Sequence, residues 1–466
     1  MSRLGAWLDP AGCPPQRPPL HDMDSSTRRL HDALDAHARR TGVPYLHPDE
    51  PTVQLDLFGS AQVIAWQEAK AAFLFAAEGC WSELPHLYAR YGTTATAALI
   101  TRLKTLEHAT SALVCDSGMQ ATALVFDVLM TRGSHAVTMR QVYNKTRSYL
   151  EWLAGRVDGG VTIVDDGDIP GLAAAIRPET TMVFAETYTN PLVRAQDLDA
   201  LRNVVTNARD RAPSIKLIVD STIATPWAFR QPLLDSGVEI VVGSGTKALG
   251  GRDSDLWGYI ATRDTPFANS VMDLMAMRGG ILDWRRATAI LSGFDEAEAA
   301  HARRSKTATR VAAFLASHPR VGEVFHPSRP DHPDAAAIAK HYVRPGSMLS
   351  FRVAGADEAQ TRHLADVLAT CVIVRYALSF DGLATKVNHH QTVSEYFTPP
   401  PQLKRNGFDR LIRLAVGLED ADDLIAALNW TLHHGVAVPP GDIEAWQRER
   451  MAALGLKAVG THLDKV

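Results

Sequence analysis

The sequence predicts an α/β protein, with a mostly parallel sheet flanked by helices and a smaller α+β domain toward the C-terminus. Three observations carry this. Between Ser111 and Ala261 short apolar runs alternate with helical stretches. Those runs are rich in Val, Ile and Ala and lack polar alternation, as strands covered on both faces do. From about Ala299 the pattern changes to a long Ala/Arg-rich helix followed by sparser strand-like pieces. A chain of 466 residues also exceeds what one core usually holds.

Residues 1–90 read as an N-terminal arm, its first fifty or so rich in Pro, Asp, His and Arg and weakly periodic. Residues 91–298 form the expected large domain. Its helical pattern starts near Thr96, with Leu99, Ile100, Leu103 and Leu106 on one face. The expected strands are Ser111–Cys115, His135–Met139, Val161–Val164, Met182–Ala185, Leu217–Val219, Ile240–Val242 and Trp257–Ala261. In residues 299–435 a helix to about Ser317 leads to strands at Met348–Val353, Cys371–Leu378 and Leu411–Val416, then a helix at Asp422–Leu432. Residues 436–466 form a charged helical tail.

Composition is that of a globular protein, 46% apolar and 21% charged with a net charge of −4. This balance gives no reason to expect nucleic acid or a membrane as partner. No run reaches transmembrane length, and the N-terminus lacks a signal pattern. Cys13, Cys80, Cys115 and Cys371 are far apart and form no CxxC pair, so free thiols of a cytoplasmic protein are expected.

The chemistry gathers at strand ends. Leu217-Ile218-Val219 runs into Asp220, and Val241-Val242 runs through Gly243-Ser244-Gly245-Thr246 into Lys247. A lysine to form a Schiff base and an acid to keep a pyridine nitrogen protonated are what pyridoxal phosphate requires. Taken alone, the pair fits a surface lysine beside a turn and a helix-capping acid equally well. Ser117-Gly118-Met119-Gln120 follows a strand and opens a helix, a geometry that cradles phosphate or simply caps a helix. Ser244 and Thr246 flank the lysine with hydroxyls. Tyr143 stands where a ring could stack on a pyridine, and Tyr88-x-Arg90 could clamp phosphate. Glu186 and Asn190-Pro191 close another strand, where the asparagine amide could reach a cofactor's phenolic oxygen. Arg413 lies inside an apolar strand, where a buried arginine calls for an anion such as a substrate carboxylate.

In order, these segments resemble the cystathionine γ-synthase/methionine γ-lyase family of fold-type I pyridoxal phosphate enzymes. The matching stretches are Tyr88-x-Arg90, Ser117-Gly118-Met119, Tyr143-x-x-Thr146, Glu186-Thr187-x-x-Asn190-Pro191, Asp220-Ser221-Thr222, Ser244-x-Thr246-Lys247, Gly346-Ser347-Met348 and Arg413-Leu414-x-Val416-Gly417. They span roughly residues 85 to 435. The resemblance implies that Lys247 carries the Schiff base to pyridoxal 5′-phosphate and shuttles protons. Asp220 would pair with the ring nitrogen, and Tyr143 would stack on the ring and assist the leaving group. Gly118, Met119, Ser244 and Thr246 would hold the phosphate, with Tyr88 and Arg90 reaching that of a neighbouring subunit. Arg413, Ser379 and Asn190 would seat the carboxylate of an amino-acid substrate. A homotetramer with active sites at dimer interfaces is implied as well.

The departures lie where the family meets its side chain and leaving group. Thr93-Thr94-Ala95 replaces Asn-Pro-Thr, Lys145 stands where glycine or cysteine is common, and Gly251-Arg252 replaces Gly-His. Ser379-Phe380-Asp381-Gly382-Leu383-Ala384 loses a terminal acid, and Asn388-His389-His390 replaces a His-Pro sequence. Those histidines have no third ligand at metal-binding spacing, so no metal is expected. The expected reaction is γ-elimination or γ-replacement on an amino acid with a leaving group at Cγ, with β-elimination or a non-catalytic relative as alternatives.

Overall fold

The computed structural model describes residues 25–26, 28–30, 32–33, 36, 89–250, 254–371, 373–395 and 398–455. The chain divides into two compact units, Met1–Ala97 with Asp283–Arg285, and Ala98–Leu282 with Arg286–Val466. In the first unit, Thr93 and Thr96 cap each other. The Thr96 N–H donates to Thr93 Oγ1 at 3.2 Å and the Thr93 N–H to Thr96 Oγ1 at 2.8 Å. This reciprocal cap starts the helix Thr94–Glu107 and gives Thr93-Thr94-Ala95 a local structural role.

The second unit holds two sheets. The larger contains β1 (Ser111–Cys115), β2 (His135–Met139), β3 (Gly160–Val164), β4 (Thr180–Glu186), β5 (Lys216–Asp220), β6 (Ile240–Gly243) and β7 (Gly258–Thr262). Their order is β1-β7-β6-β5-β4-β2-β3. All pairings are parallel except those of β7, which runs antiparallel to both β1 and β6. The two reversals return β1 to the direction of β6, so the carboxyl ends of β1, β2, β4, β5 and β6 share one edge. Every residue of β1, β2, β6 and β7 is buried, as their uninterrupted apolar runs predict.

The smaller sheet has β8 (Val321–Phe325), β9 (Met348–Val353), β10 (Val374–Tyr376), β11 (Thr385–His389) and β12 (Ile412–Ala415), in the order β10-β11-β12-β9-β8. One face packs on the helices Trp284–Ser317, Glu358–Thr370 and Ala421–His434 through a core that includes Val311, Leu315, Leu349, Phe351, Leu364, Leu414 and Leu428.

Three features differ from the sequence reading. The expected strand Cys371–Leu378 shortens to Val374–Tyr376. Strands β8 and β11 were not anticipated, because Thr385, Asn388 and His389 are polar yet buried, and β8 is an edge strand with no fully buried residue. The helix expected from about Ala299 begins at Trp284, through the polar stretch Asp295-Glu296-Ala297-Glu298, and so runs unbroken across residue 298. The tail is helical over Pro440–Ala453.

Candidate active site

Parallel register sets acidic groups side by side. Glu186 ends β4 directly opposite Asp220, which ends β5, and Asp220 faces Val242 of β6. The Thr222 N–H donates to Asp220 Oδ1 at 2.7 Å, and the Tyr143 N–H to Glu186 Oε1 at 2.6 Å. Burial pushes Asp220 up to about 6, against the opposing pull of Thr222. Burial and then the Asp220 charge drive Glu186 well above the usual carboxylate range. A buried acid with an acid for a neighbour is stabilised by a cation placed against it.

Lys247 follows β6 on a loop held to the start of β7. The Thr246 N–H and Oγ1 both donate to Trp257 O, at 3.2 and 3.1 Å, and Thr246 Oγ1 accepts the Trp257 N–H at 2.9 Å. That hydroxyl is therefore tied to the backbone beside the lysine. Gly245 permits the loop, since a Cβ there would stand 2.0 Å from the Trp257 ring. Lys247 Nζ donates to Ser379 Oγ and lies 4.8 Å from the centre of the Phe380 ring. Arg304, fully buried in the helix Trp284–Ser317, donates to Gly382 O at 2.8 Å and Ala248 O at 3.4 Å, bracing the Ser379 and Lys247 loops together. No sequence motif flagged Arg304; its one signal is an arginine in register with Ala297, Ala308 and Val311 on a buried helix face.

The start of the helix Gly118–Leu129 faces the same space. Ser117 caps it by accepting the Gln120 N–H at 3.2 Å, while helix geometry leaves the Gly118 and Met119 N–H groups without intrahelical acceptors. Gly118 is pressed on Ser244, where an added Cβ would meet Ser244 Cβ at 2.5 Å and Cα at 2.8 Å. Gly118→Ala is therefore expected to destabilise the fold by about 1–3 kcal/mol through overpacking. It should also weaken phosphate retention, which thermal unfolding with and without cofactor would measure.

Arg413 of β12 is buried. It donates to Asn190 Oδ1 at 3.3 Å and to Leu378 O and Ser379 O at 3.0 Å each. Burial pushes its guanidinium down to about 10, with Asp381 opposing the shift. Together these side chains line a cavity of about 500 Å³ that includes Gly118, Met119, Tyr143, Lys145, Glu186, Asn190, Asp220, Ser244, Thr246, Lys247, Ser379, His390 and Arg413. Arg90 belongs to the first unit, its guanidinium 5.8 Å from the centre of the Tyr91 ring. Tyr88 and Arg252 lie outside the described residues. Ala384 is not among the residues lining the cavity.

The residues present fit pyridoxal phosphate: a helix start opened by Gly118 for phosphate, a buried Asp220 in need of a cation, and Lys247 nearby. These features are those of a pyridoxal phosphate enzyme of the α/β class. Residues 65–433 match the family described as Cys/Met metabolism PLP-dependent enzyme. The chain is 30% identical over 381 residues to an L-methionine gamma-lyase of Fusobacterium nucleatum, covering 80% of this chain and 93% of the relative. It is 31% identical over 341 residues to the chloroplastic cystathionine gamma-synthase 1 of Arabidopsis thaliana, covering 73% of this chain but only 58% of the longer plant protein. A crystal structure of cystathionine gamma-lyase from Lactobacillus plantarum, complexed with L-serine, superposes with a TM-score of 0.72 at 25% identity over 83% of this chain and 94% of that one. The chain belongs to the Cys/Met metabolism PLP-dependent enzyme family, whose cofactor is pyridoxal 5′-phosphate. No helix among the described residues is long and apolar enough to cross a membrane.

Proposed function

We propose that the cavity carries out γ-elimination or γ-replacement on an amino acid bearing a leaving group at Cγ, in the class of methionine, homoserine esters and cystathionine. The observation that carries this is the Lys247 amine hydrogen-bonded to Ser379 Oγ in one cavity with Arg413, Tyr143 and the Asp220–Glu186 pair. Bound pyridoxal phosphate supplies an electron-withdrawing ring that stabilises negative charge on substrate carbons. Gly118, Met119 and Ser244 would hold its phosphate, and Asp220 would pair with its ring nitrogen.

Arg413 and Asn190 seat the substrate carboxylate and so fix which Cα bond faces Lys247. Lys247 Nζ would take the Cα proton, hand it to the cofactor carbon next to the substrate nitrogen and, neutral again, take a Cβ proton, with Ser379 Oγ holding the amine between these positions. Tyr143 stays a neutral phenol, because burial and the Glu186 charge both raise it, and its O–H can protonate a departing group. The subunits form a homotetramer, with Arg90 reaching the phosphate of a neighbouring subunit, and the protein works in the cytoplasm.

Purified, cofactor-loaded protein should release 2-oxobutyrate and ammonia from at least one of methionine, homocysteine, cystathionine, O-acetyl-homoserine and O-succinyl-homoserine. Pyruvate from a three-carbon substrate, with no 2-oxobutyrate from the four-carbon set, would replace γ- by β-elimination. No change in the cofactor's visible band with any amino acid would end the proposal.

A further inference from the structure

Asn388-His389-His390, the sequence standing where the family has His-Pro, closes β11 and supplies two neighbouring histidines in different situations. His389 is satisfied within the protein, its Nδ1 paired with Thr392 Oγ1 at 2.7 Å and its Nε2 with Asp409 O at 3.0 Å. His390 is 1% exposed, and neither ring nitrogen has a hydrogen-bond partner among the described residues. A buried imidazole with both nitrogens unpaired is disfavoured unless a ligand completes it. His390 lines the cavity, whereas His301, whose nitrogens are also unpaired, does not.

His390 and Arg413 line the same cavity, close enough for the guanidinium charge to act on the imidazole. Asn388 is the cross-strand partner of Arg413, and His390 lies two residues beyond it, where β11 ends and the helix His390–Val393 begins. The His390 N–H of the backbone donates to Leu411 O at 3.1 Å, so the strand pairing extends to it. The Phe408 ring stands edge-on to the imidazole at 5.4 Å and 85°, fixing its plane. Arg413 meanwhile commits three hydrogen bonds to Asn190, Leu378 and Ser379, and a carboxylate offers about four acceptor positions. An additional neutral donor beside the guanidinium has a place to act. Burial first, then the charges of Arg413 and His389, keep the imidazole uncharged.

We propose that His390 is a substrate-positioning residue of this enzyme, its ring N–H donating to the α-carboxylate of the amino-acid substrate beside Arg413. The proposal rests on the reading of the cavity as an amino-acid site. The test titrates cofactor-loaded protein with glycine and with methylamine, both amines, of which only glycine carries a carboxylate, and follows the visible band of the cofactor. His390→Leu should weaken glycine binding by roughly tenfold to a hundredfold, as expected for loss of a hydrogen bond to a charged group, and leave methylamine within about twofold. His390→Gln, which retains an N–H donor, should recover most of the loss. Equal weakening for both amines, or unchanged glycine binding in His390→Leu, overturns the proposal. Should the leucine variant not fold, the ¹⁵N resonances of the His390 imidazole in the wild-type protein decide. A ring-nitrogen shift on adding glycine but not methylamine supports the donor, and an unmoved resonance overturns it. A wild-type band that responds to neither amine would instead remove the amino-acid reading of the cavity.

Discussion

Lys247→Ala is expected to abolish turnover, by at least about four orders of magnitude, while leaving the fold intact. In the proposed mechanism one amine serves both proton abstractions, and a positioned acid–base group contributes about 10²–10⁴ for each transfer it serves. Stability should change by less than about 1 kcal/mol, because the hydrogen bond to the Ser379 hydroxyl and the contact with the Phe380 ring are not what holds the lysine's loop in place. The loop around it is held by other groups: Thr246 on Trp257, and the Gly250 N–H on Gly245 O at 2.6 Å. Lys247→Arg should be equally inactive, since a guanidinium does not give up its proton in a protein. Single-turnover assays beside thermal unfolding measure both halves. A variant with more than about 1% of wild-type turnover, or one that fails to fold, would contradict this assignment.

Much of the site was legible because the chemistry sits at the ends of apolar runs. Val219 into Asp220 and Val242 into the Lys247 loop mark where parallel strands stop, and in such sheets that edge is where ligands bind. Arg413 was legible for a related reason, as a charge inside an apolar strand. Pairwise environment was not legible. Nothing in the sequence shows Glu186 set in register with Asp220, or the Thr246 hydroxyl tied to Trp257. The small sheet was half seen. Its strand β11 buries Thr385, Asn388 and His389, so a search for apolar runs passes over it, and spacing weighs the His389–His390 pair only as metal ligands and rejects it for want of a third. Hydrogen bonding separates the two buried histidines; spacing treats them alike.

Asp220→Asn should act in opposite directions on stability and on catalysis. In the cofactor-free protein burial raises Asp220 from 3.8 to about 6. Between those values the folded chain holds a proton that the unfolded chain has lost, so the folded state binds more protons. Stability of the cofactor-free protein therefore falls as pH rises through that window and stays lowered above it, by on the order of 3 kcal/mol for this group. Asparagine removes the cost, and its Oδ1 can still accept the Thr222 N–H that Asp220 accepts at 2.7 Å. The cofactor-free variant should thus be more stable than wild type at pH 8 and nearly equal to it at pH 4. With cofactor the sign reverses, because the ring nitrogen loses the anion that holds its charge. Removing one partner of a buried pair costs about 3–5 kcal/mol, so activity should drop on the order of 10²–10³-fold with weaker cofactor retention. Denaturant unfolding of both cofactor-free proteins across pH 4–8, beside steady-state rates of the loaded forms, checks the crossing. A cofactor-free variant less stable than wild type at pH 8 would mean that the carboxylate is stabilised by the protein alone, and that Asp220 is a structural group.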